Sequence, residues 1–287
     1  MERLKLHNEC LQVEVDLMGA ELKRIRRGDD SDVLWPGDQE PWQGSSPWLF
    51  PFVGRLKDDC FIHNGVRYNM PMHGFARKKN FTPVEHTATR LVLELGADEA
   101  TRACYPFDFT LRITYELDGT QVKVCAEVVN QGGSEMLFSL GGHPGLCAAE
   151  GDVLIFEAEE NAPLHRLSAQ EHLLQSACDC FRGAELKVST ALFREDAIIL
   201  LAPCSRCVTL HRQGGERVSV RYDDVTWLGI WSRASDPLRY VCIEPWLGVD
   251  SPETLDSHEL KDKMDILTLK AGETFAFRMT IEDHTAL

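Results

Sequence analysis

Between Leu111 and Val128 the chain alternates apolar and polar residues: Leu111, Ile113, Tyr115 and Leu117, then Asp118-Gly119, then Val122, Val124, Ala126 and Val128. A period of two sends successive side chains to opposite faces of a strand, so each run has one face to bury. Asp-Gly between two such runs is the signature of a tight antiparallel hairpin. An isolated hairpin is marginal in water, so this one requires further strands or another layer packed against it.

Those strands are legible elsewhere. Leu11, Val13, Val15 and Leu17 alternate with Gln12, Glu14 and Asp16, and Asn64-Gly65 joins Phe61-Ile62-His63 to Val66-Arg67-Tyr68 as a second hairpin. Further strands are expected at 91–95, 152–158, 197–201, 207–211, 217–222, 226–231, 239–244 and 275–282. Helical periodicity is confined to short pieces near 169–177 and 253–262. Many short strands without alternating helices predict an all-β fold, a large antiparallel sandwich with few short helices. No linker, repeat or composition shift divides the 287 residues, so one domain over 1–287 is expected.

Charge excludes several kinds of partner. Thirty Lys and Arg stand against 45 Asp and Glu, a formal net charge of −15. Nucleic-acid binding draws on clustered cations, and an anionic membrane surface attracts them too, so neither partner is expected. No apolar run reaches the roughly 18 residues of a spanning helix, and Met1-Glu2-Arg3-Leu4-Lys5-Leu6-His7 lacks the apolar block of an export signal. A cytoplasmic protein is the expectation. Its ten cysteines are scattered, and without an export signal they read as reduced and mostly buried small hydrophobes. Cys204-Ser205-Arg206-Cys207, with His211 beyond and Cys178 and Cys180 before, is too weak a pattern for a zinc site, which needs four convergent ligands. No metal and no cofactor are expected.

Four segments interrupt the alternation with clustered Gly, Pro, His, Trp and Arg, the residues of sites carried on loops and strand ends. They are Ser46–Arg55 (SPWLFPFVGR), Met72–Arg77 (MHGFAR), Leu140–Gly145 (LGGHPG) and Cys242–Trp246 (CIEPW). His143 is either a turn histidine satisfied by a carbonyl or a site residue whose glycines let a ligand approach the backbone. Glu244 ends an apolar run, where a carboxylate is costly unless it is paired or put to use. Trp48, Trp231 and Trp246 are core residues or platforms for the apolar face of a sugar ring. No phosphate-cradling glycine loop, dinucleotide fingerprint or nucleophile elbow occurs. Cofactor-free acid/base chemistry on a polar organic molecule, or simple binding of one, remains.

In this order and at these separations, FPFVGRL (50–56), MHGFAR (72–77), SLGGHPGL (139–146), EDAIIL (195–200), WLGIWS (227–232), CIEPWLGV (242–249) and LTLKAGETFAFRMTI (267–281) resemble the aldose 1-epimerase (mutarotase) family, in particular its short bacterial branch. The resemblance covers nearly the whole chain and implies an all-β supersandwich with a small-molecule aldose as substrate. It implies His143 and Glu244 as the catalytic pair. It implies substrate contacts at His73, Arg55 and Asp196, and Arg77 belongs to its HGFAR motif; Trp231 and Trp246 are the aromatic residues expected to stack on the sugar. The longer members' Asn-Arg pair is here Gly54-Arg55. Interconverting anomers opens the ring hemiacetal and recloses it on the other face. Opening needs a base on the O1 proton and an acid on the ring oxygen, O5. An imidazole ordinarily titrates near 6.5, close to working pH, and suits the acid. Two other expectations stay open: a hexose-6-phosphate 1-epimerase, and a non-catalytic carbohydrate-binding protein on the same fold. A β-sandwich glycoside hydrolase is weaker, because it usually needs two carboxylates and only Glu244 is a strong candidate.

Overall fold

The computed structural model describes residues 3–37, 40–173, 177–235 and 237–285. The Asp-Gly hairpin forms as read: Phe109–Asp118 pairs with Gln121–Asn130, Asp118 opposite Gln121, and Gly119 takes the left-handed conformation of the turn. Leu111, Ile113, Tyr115, Leu117, Val122, Val124, Ala126 and Val128 are all buried on one face. The Asn64-Gly65 hairpin forms as well, between Cys60–His63 and Val66–Asn69, with both turn residues at positive φ.

The hairpin belongs to a 15-stranded antiparallel sheet. From it the order runs through Thr274–Asp283, Arg217–Tyr222, Cys207–His211, Val153–His165, Ile198–Leu201, Trp227–Trp231, Tyr240–Leu247 and Leu140–Gly142 to Trp48–Leu49. Strands far apart in sequence thus become neighbours at one end, and that end carries the candidate site. A separate three-stranded sheet, Arg3–His7, Leu11–Asp16 and Leu22–Arg27, contributes Leu6, Leu11, Val13 and Ile25 to the same main core. No described helix is long and apolar enough to cross a membrane.

Two polar contacts tie these parts together inside the core. Arg27 grips Asp283 with Nε 2.7 Å from Oδ2 and Nη2 3.0 Å from Oδ1, joining the small sheet to the large one. The Trp48 indole donates to Tyr115 Oη (3.0 Å), which donates to the Ala20 carbonyl (2.6 Å), linking the Asp-Gly hairpin to the far edge strand. Removing one partner of a buried ion pair strands the other charge in low dielectric. Arg27→Met is therefore expected to cost about 3–5 kcal/mol of stability in urea unfolding. A loss below about 1 kcal/mol would mean that Asp283 finds water or another cation.

Among the described residues neither expected helix forms. Over 169–177, of which 174–176 lie outside the described residues, the Ser168 hydroxyl accepts from the N–H groups of Gln170 (3.2 Å) and His172 (3.4 Å). Glu171 there adopts positive φ, and Leu173 bridges to Pro252. Over 253–262 a single 3₁₀ turn, Leu260–Asp262, forms, while Ser257 Oγ accepts from Glu259 N–H (3.1 Å) and donates to Asp262 (2.6 Å). Serine side chains here satisfy backbone N–H groups locally, so local polar chemistry overrides the apolar spacing.

The cysteines also differ from expectation. All ten are free, but only Cys60, Cys207 and Cys242 are buried, five are half-buried, and Cys178 and Cys204 are exposed. The Cys204–Cys207 loop is organised by the Glu160 carboxylate, which accepts from the N–H groups of Cys204 (2.8 Å) and Ser205 (2.7 Å). Cys204 thus lies exposed while Cys207 is buried in its strand.

Candidate active site

The strand Tyr240–Leu247 is buried along almost its whole length, and its period of two sorts it. Val241 and Ile243 join the main core, whereas Tyr240, Cys242 and Trp246 belong to two small apolar clusters on the opposite side. Glu244 shares that opposite face. The neighbouring chain pairs Gly141 with Trp246 and, past an interruption, Gly145 with Cys242. This register is continuous across the gap, so His143 falls directly opposite Glu244. Pro144, beside it, keeps the strands in contact by accepting from Ile243 N–H (3.1 Å). On the other flank Gly229 pairs with Glu244, and a Cβ there would meet the Trp246 ring at 2.7 Å.

The outcome is a buried acid/base pair, with His143 Nε2 3.0 Å from Glu244 Oε2. Glu244 is 1% exposed and His143 8%. Burial pushes the Glu244 carboxyl above its ordinary value, and the opposing charge of His143 only partly offsets that. His143 Nδ1 is buried with no protein partner among the described residues. An unpaired polar atom beside a buried carboxylate is what a site for a hydroxyl-rich molecule presents. Aromatic rings wall it: Trp42 stacks on His143 at 5.0 Å and 30°, and Trp231 meets His143 edge-on at 5.6 Å and 82°.

His73 comes from a different segment. Its backbone is left-handed (φ 63°), its N–H donates to the Gly54 carbonyl (2.8 Å), and its Nδ1 accepts from Gly54 N–H (3.0 Å). That acceptance leaves Nε2 as the protonated nitrogen of a neutral ring. Burial, then Arg77, His143 and Arg55, push its pKa well below the ordinary value, so His73 stays a neutral donor. Its ring meets that of His143 edge-on at 6.1 Å. Gly74 follows at positive φ, and a Cβ there would lie 2.3 Å from the Phe50 carbonyl, which accepts from Phe75 and Ala76 N–H. Val53 N–H donates to Ser139 Oγ (2.8 Å). Gly141 pairs with Leu49 as well as with Trp246, so all four irregular segments are knitted to one another.

The remaining candidates are placed less directly. Arg55 lies near His73, but its Nη1 and Nη2 are held by Asp59 and Glu171, each at 2.6 Å. Arg77 donates through Nη2 to the Met72 carbonyl (2.9 Å) and braces its own loop. Asp196 is exposed at positive φ with Oδ1 on Ala197 N–H (2.7 Å), close enough that its charge raises Glu244 further. The glycine at position 54 has a spatial cause: a Cβ would lie 2.2 Å from the Asp250 carboxyl carbon. Asp250 accepts from Arg55 N–H (2.7 Å), and burial pushes its pKa up to about 6. Trp231 stands at the wall, whereas Trp246 packs with Leu49, Val53, Ile199 and Trp227 behind Glu244.

Among the described residues, one grouping could hold a metal ion: His143, Cys242 and Glu244, with donor atoms within 4.8 Å of one another. Burial and the charge of Glu244 push the Cys242 thiol well above its ordinary value, so by itself it is a protonated SH. Trp42, stacked on His143, and Tyr240, packed against Trp42, border the candidate site and were missed by sequence reasoning. Pro41-Trp42-Gln43-Gly44 carries the same Gly/Pro/Trp clustering as the four chosen segments, so that signal was present for Trp42. Tyr240 gave none, reading as one more apolar strand residue.

A sequence model of the aldose 1-epimerase family matches residues 2–282. Protein LacX of Lactococcus lactis subsp. lactis is 29% identical over 282 residues, 92% of this chain and 93% of its own length. A galactose mutarotase related enzyme from Lactobacillus acidophilus superposes with a TM-score of 0.91 at 28% identity, covering 99% of this chain and 98% of that one. A Salmonella typhimurium protein that carries a glucose-6-phosphate 1-epimerase name is 28% identical over 114 residues, 36% of each chain.

Proposed function

Because the chain belongs to the aldose 1-epimerase family, we propose that it interconverts the α and β anomers of a free hexose such as galactose or glucose. The observation that carries this reading is the buried His143–Glu244 pair at 3.0 Å, walled by aromatic rings. Glu244 takes the proton from O1 while the His143 imidazolium gives one to O5, and C1–O5 opens to the aldehyde. Rotation about C1–C2 presents the other carbonyl face. Reclosure returns both protons, leaving the enzyme unchanged. His73, neutral and with Nε2–H free, donates to a sugar oxygen and stabilises charge developing there. The ring of Trp231 offers a stacking surface for the apolar face of the sugar.

Several features favour a free sugar over a sugar phosphate. Phosphate recognition uses unpaired cations, preferably arginines in bidentate geometry. Arg55 already spans two carboxylates, which leaves Arg77, with no carboxylate partner among the described residues, as a single cation near His73. The net charge of −15 repels an anionic substrate over longer range. Polarimetry of freshly dissolved α-galactose and α-glucose should show mutarotation well above the spontaneous rate. For glucose 6-phosphate, kcat/KM should be at least about tenfold lower, a difference of about 1.4 kcal/mol. The reverse preference would assign the phosphosugar reaction. Sugar binding without any acceleration would leave only a binding protein.

A further inference from the structure

A catalytic histidine is ordinarily oriented by a hydrogen bond to its second ring nitrogen. His143 lacks one: Nδ1 is buried with no protein partner among the described residues. Its orientation falls instead to rings, Trp42 lying over its face and Trp231 against its edge. Trp42 is itself tightly seated. It stacks on Tyr240 at 5.2 Å and 28° and meets Trp231 edge-on at 5.5 Å and 83°. Its carbonyl accepts from Trp35 Nε1 (2.8 Å), and the preceding Pro41 carbonyl accepts from Arg233 Nη1 (3.1 Å).

Two glycines show how far the chain is shaped around this indole. A Cβ on Gly44 would lie 2.5 Å from Trp42 Cζ2, and one on Gly145 would lie 2.8 Å from Trp42 Cζ3. Neither glycine has positive φ, so the backbone at these positions does not call for glycine. The ring does. Gly145 is the last residue of the Gly-Gly-His-Pro-Gly motif, two positions beyond His143, so the motif both presents the imidazole and clears the space for what covers it.

We propose that Trp42 is a positioning residue for the reaction: its indole, seated in the space left by Gly44 and Gly145, holds the His143 imidazole with Nε2 against Glu244. This rests on the acid/base reading given above. Loss of the indole frees the ring to rotate away from Glu244 and from the sugar oxygen it serves, a fault of geometry in the reacting complex more than of affinity.

The test is a kinetic comparison by polarimetry on α-galactose, with His143→Asn assayed in parallel and folding checked by circular dichroism and thermal melting. Trp42→Ala should lower kcat by about 10- to 100-fold, as misplacement of a catalytic group does, with KM changed less than about threefold. Trp42→Phe keeps a ring to stack and should recover kcat to within about threefold of the native enzyme. Gly145→Ala should reproduce the kcat loss in the native background yet cost less than about twofold in the Trp42→Phe background, because phenylalanine lacks the outer indole ring that the new methyl would strike. This pair of folded variants decides the matter even if Trp42→Ala fails to fold. A kcat for Trp42→Ala within about twofold of native, with His143→Asn inactive, overturns the positioning role while sparing the acid/base reading. Equal Gly145→Ala losses in both backgrounds overturn it too. Native-like turnover by His143→Asn overturns both.

Discussion

Glu244→Gln should reduce mutarotation of galactose or glucose by about 10²- to 10⁴-fold, the contribution of a positioned general base. Glutamine keeps the volume and one carbonyl oxygen but cannot take the O1 proton. The same substitution should not destabilise the fold. Burial raises the Glu244 pKa above that of an exposed carboxylate. The unfolded chain therefore ionises first as pH rises, and between the ordinary value and the raised one the folded state loses stability. Above that window the penalty is fully present. A neutral glutamine removes it, so the variant should melt at or above the native temperature near neutral pH. Loss of rate with an unchanged or higher Tm separates a base from a packing residue. In the native enzyme, the acid limb of kcat/KM should lie above the ordinary carboxylate range, because the base must be ionised to act. A variant within about tenfold of native turnover would remove Glu244 from the reaction.

His143→Asn should impose a loss of similar size, about 10²- to 10⁴-fold, since asparagine can hydrogen-bond but cannot deliver a proton to O5. The two residues pass protons to one substrate in one step, so their effects should not multiply. The double variant Glu244→Gln/His143→Asn is expected near the slower single variant, as for groups that act as a unit. Multiplicative losses would show two independent contributions and count against concerted ring opening. His73 offers an internal contrast. It is held neutral by burial and by the arginines and His143 nearby, so its replacement weakens a donor without removing a titration.

Much of the fold was legible in the chain because strand formation is written locally. The Leu111–Val128 alternation and the two Gly-containing turns needed no distant partner to be read, and the structure has them in register. The helical readings of 169–177 and 253–262 failed because apolar spacing ignores serine side chains that satisfy the backbone themselves. His143 and Glu244 were legible as oddities, a histidine among glycines and a carboxylate on an apolar strand. The state of Arg55 was not, because Glu171, which holds one of its nitrogens, lies 116 residues away. Nor was the reason for Gly54, which only the Asp250 carboxylate reveals.

By itself the sequence determined the strand period, the hairpin turns, the all-β class and the family resemblance, since each depends on residues within a few positions or on ordered motifs. The tertiary structure alone decided which face of Tyr240–Leu247 meets the main core, that His143 lies opposite Glu244, and that Trp42 covers the imidazole. Register between strands 100 residues apart, and the low dielectric their packing creates, exist only after the sheet has closed around them. The pairing of 141 with 246 and of 145 with 242 turns two isolated polar residues into a buried acid/base couple.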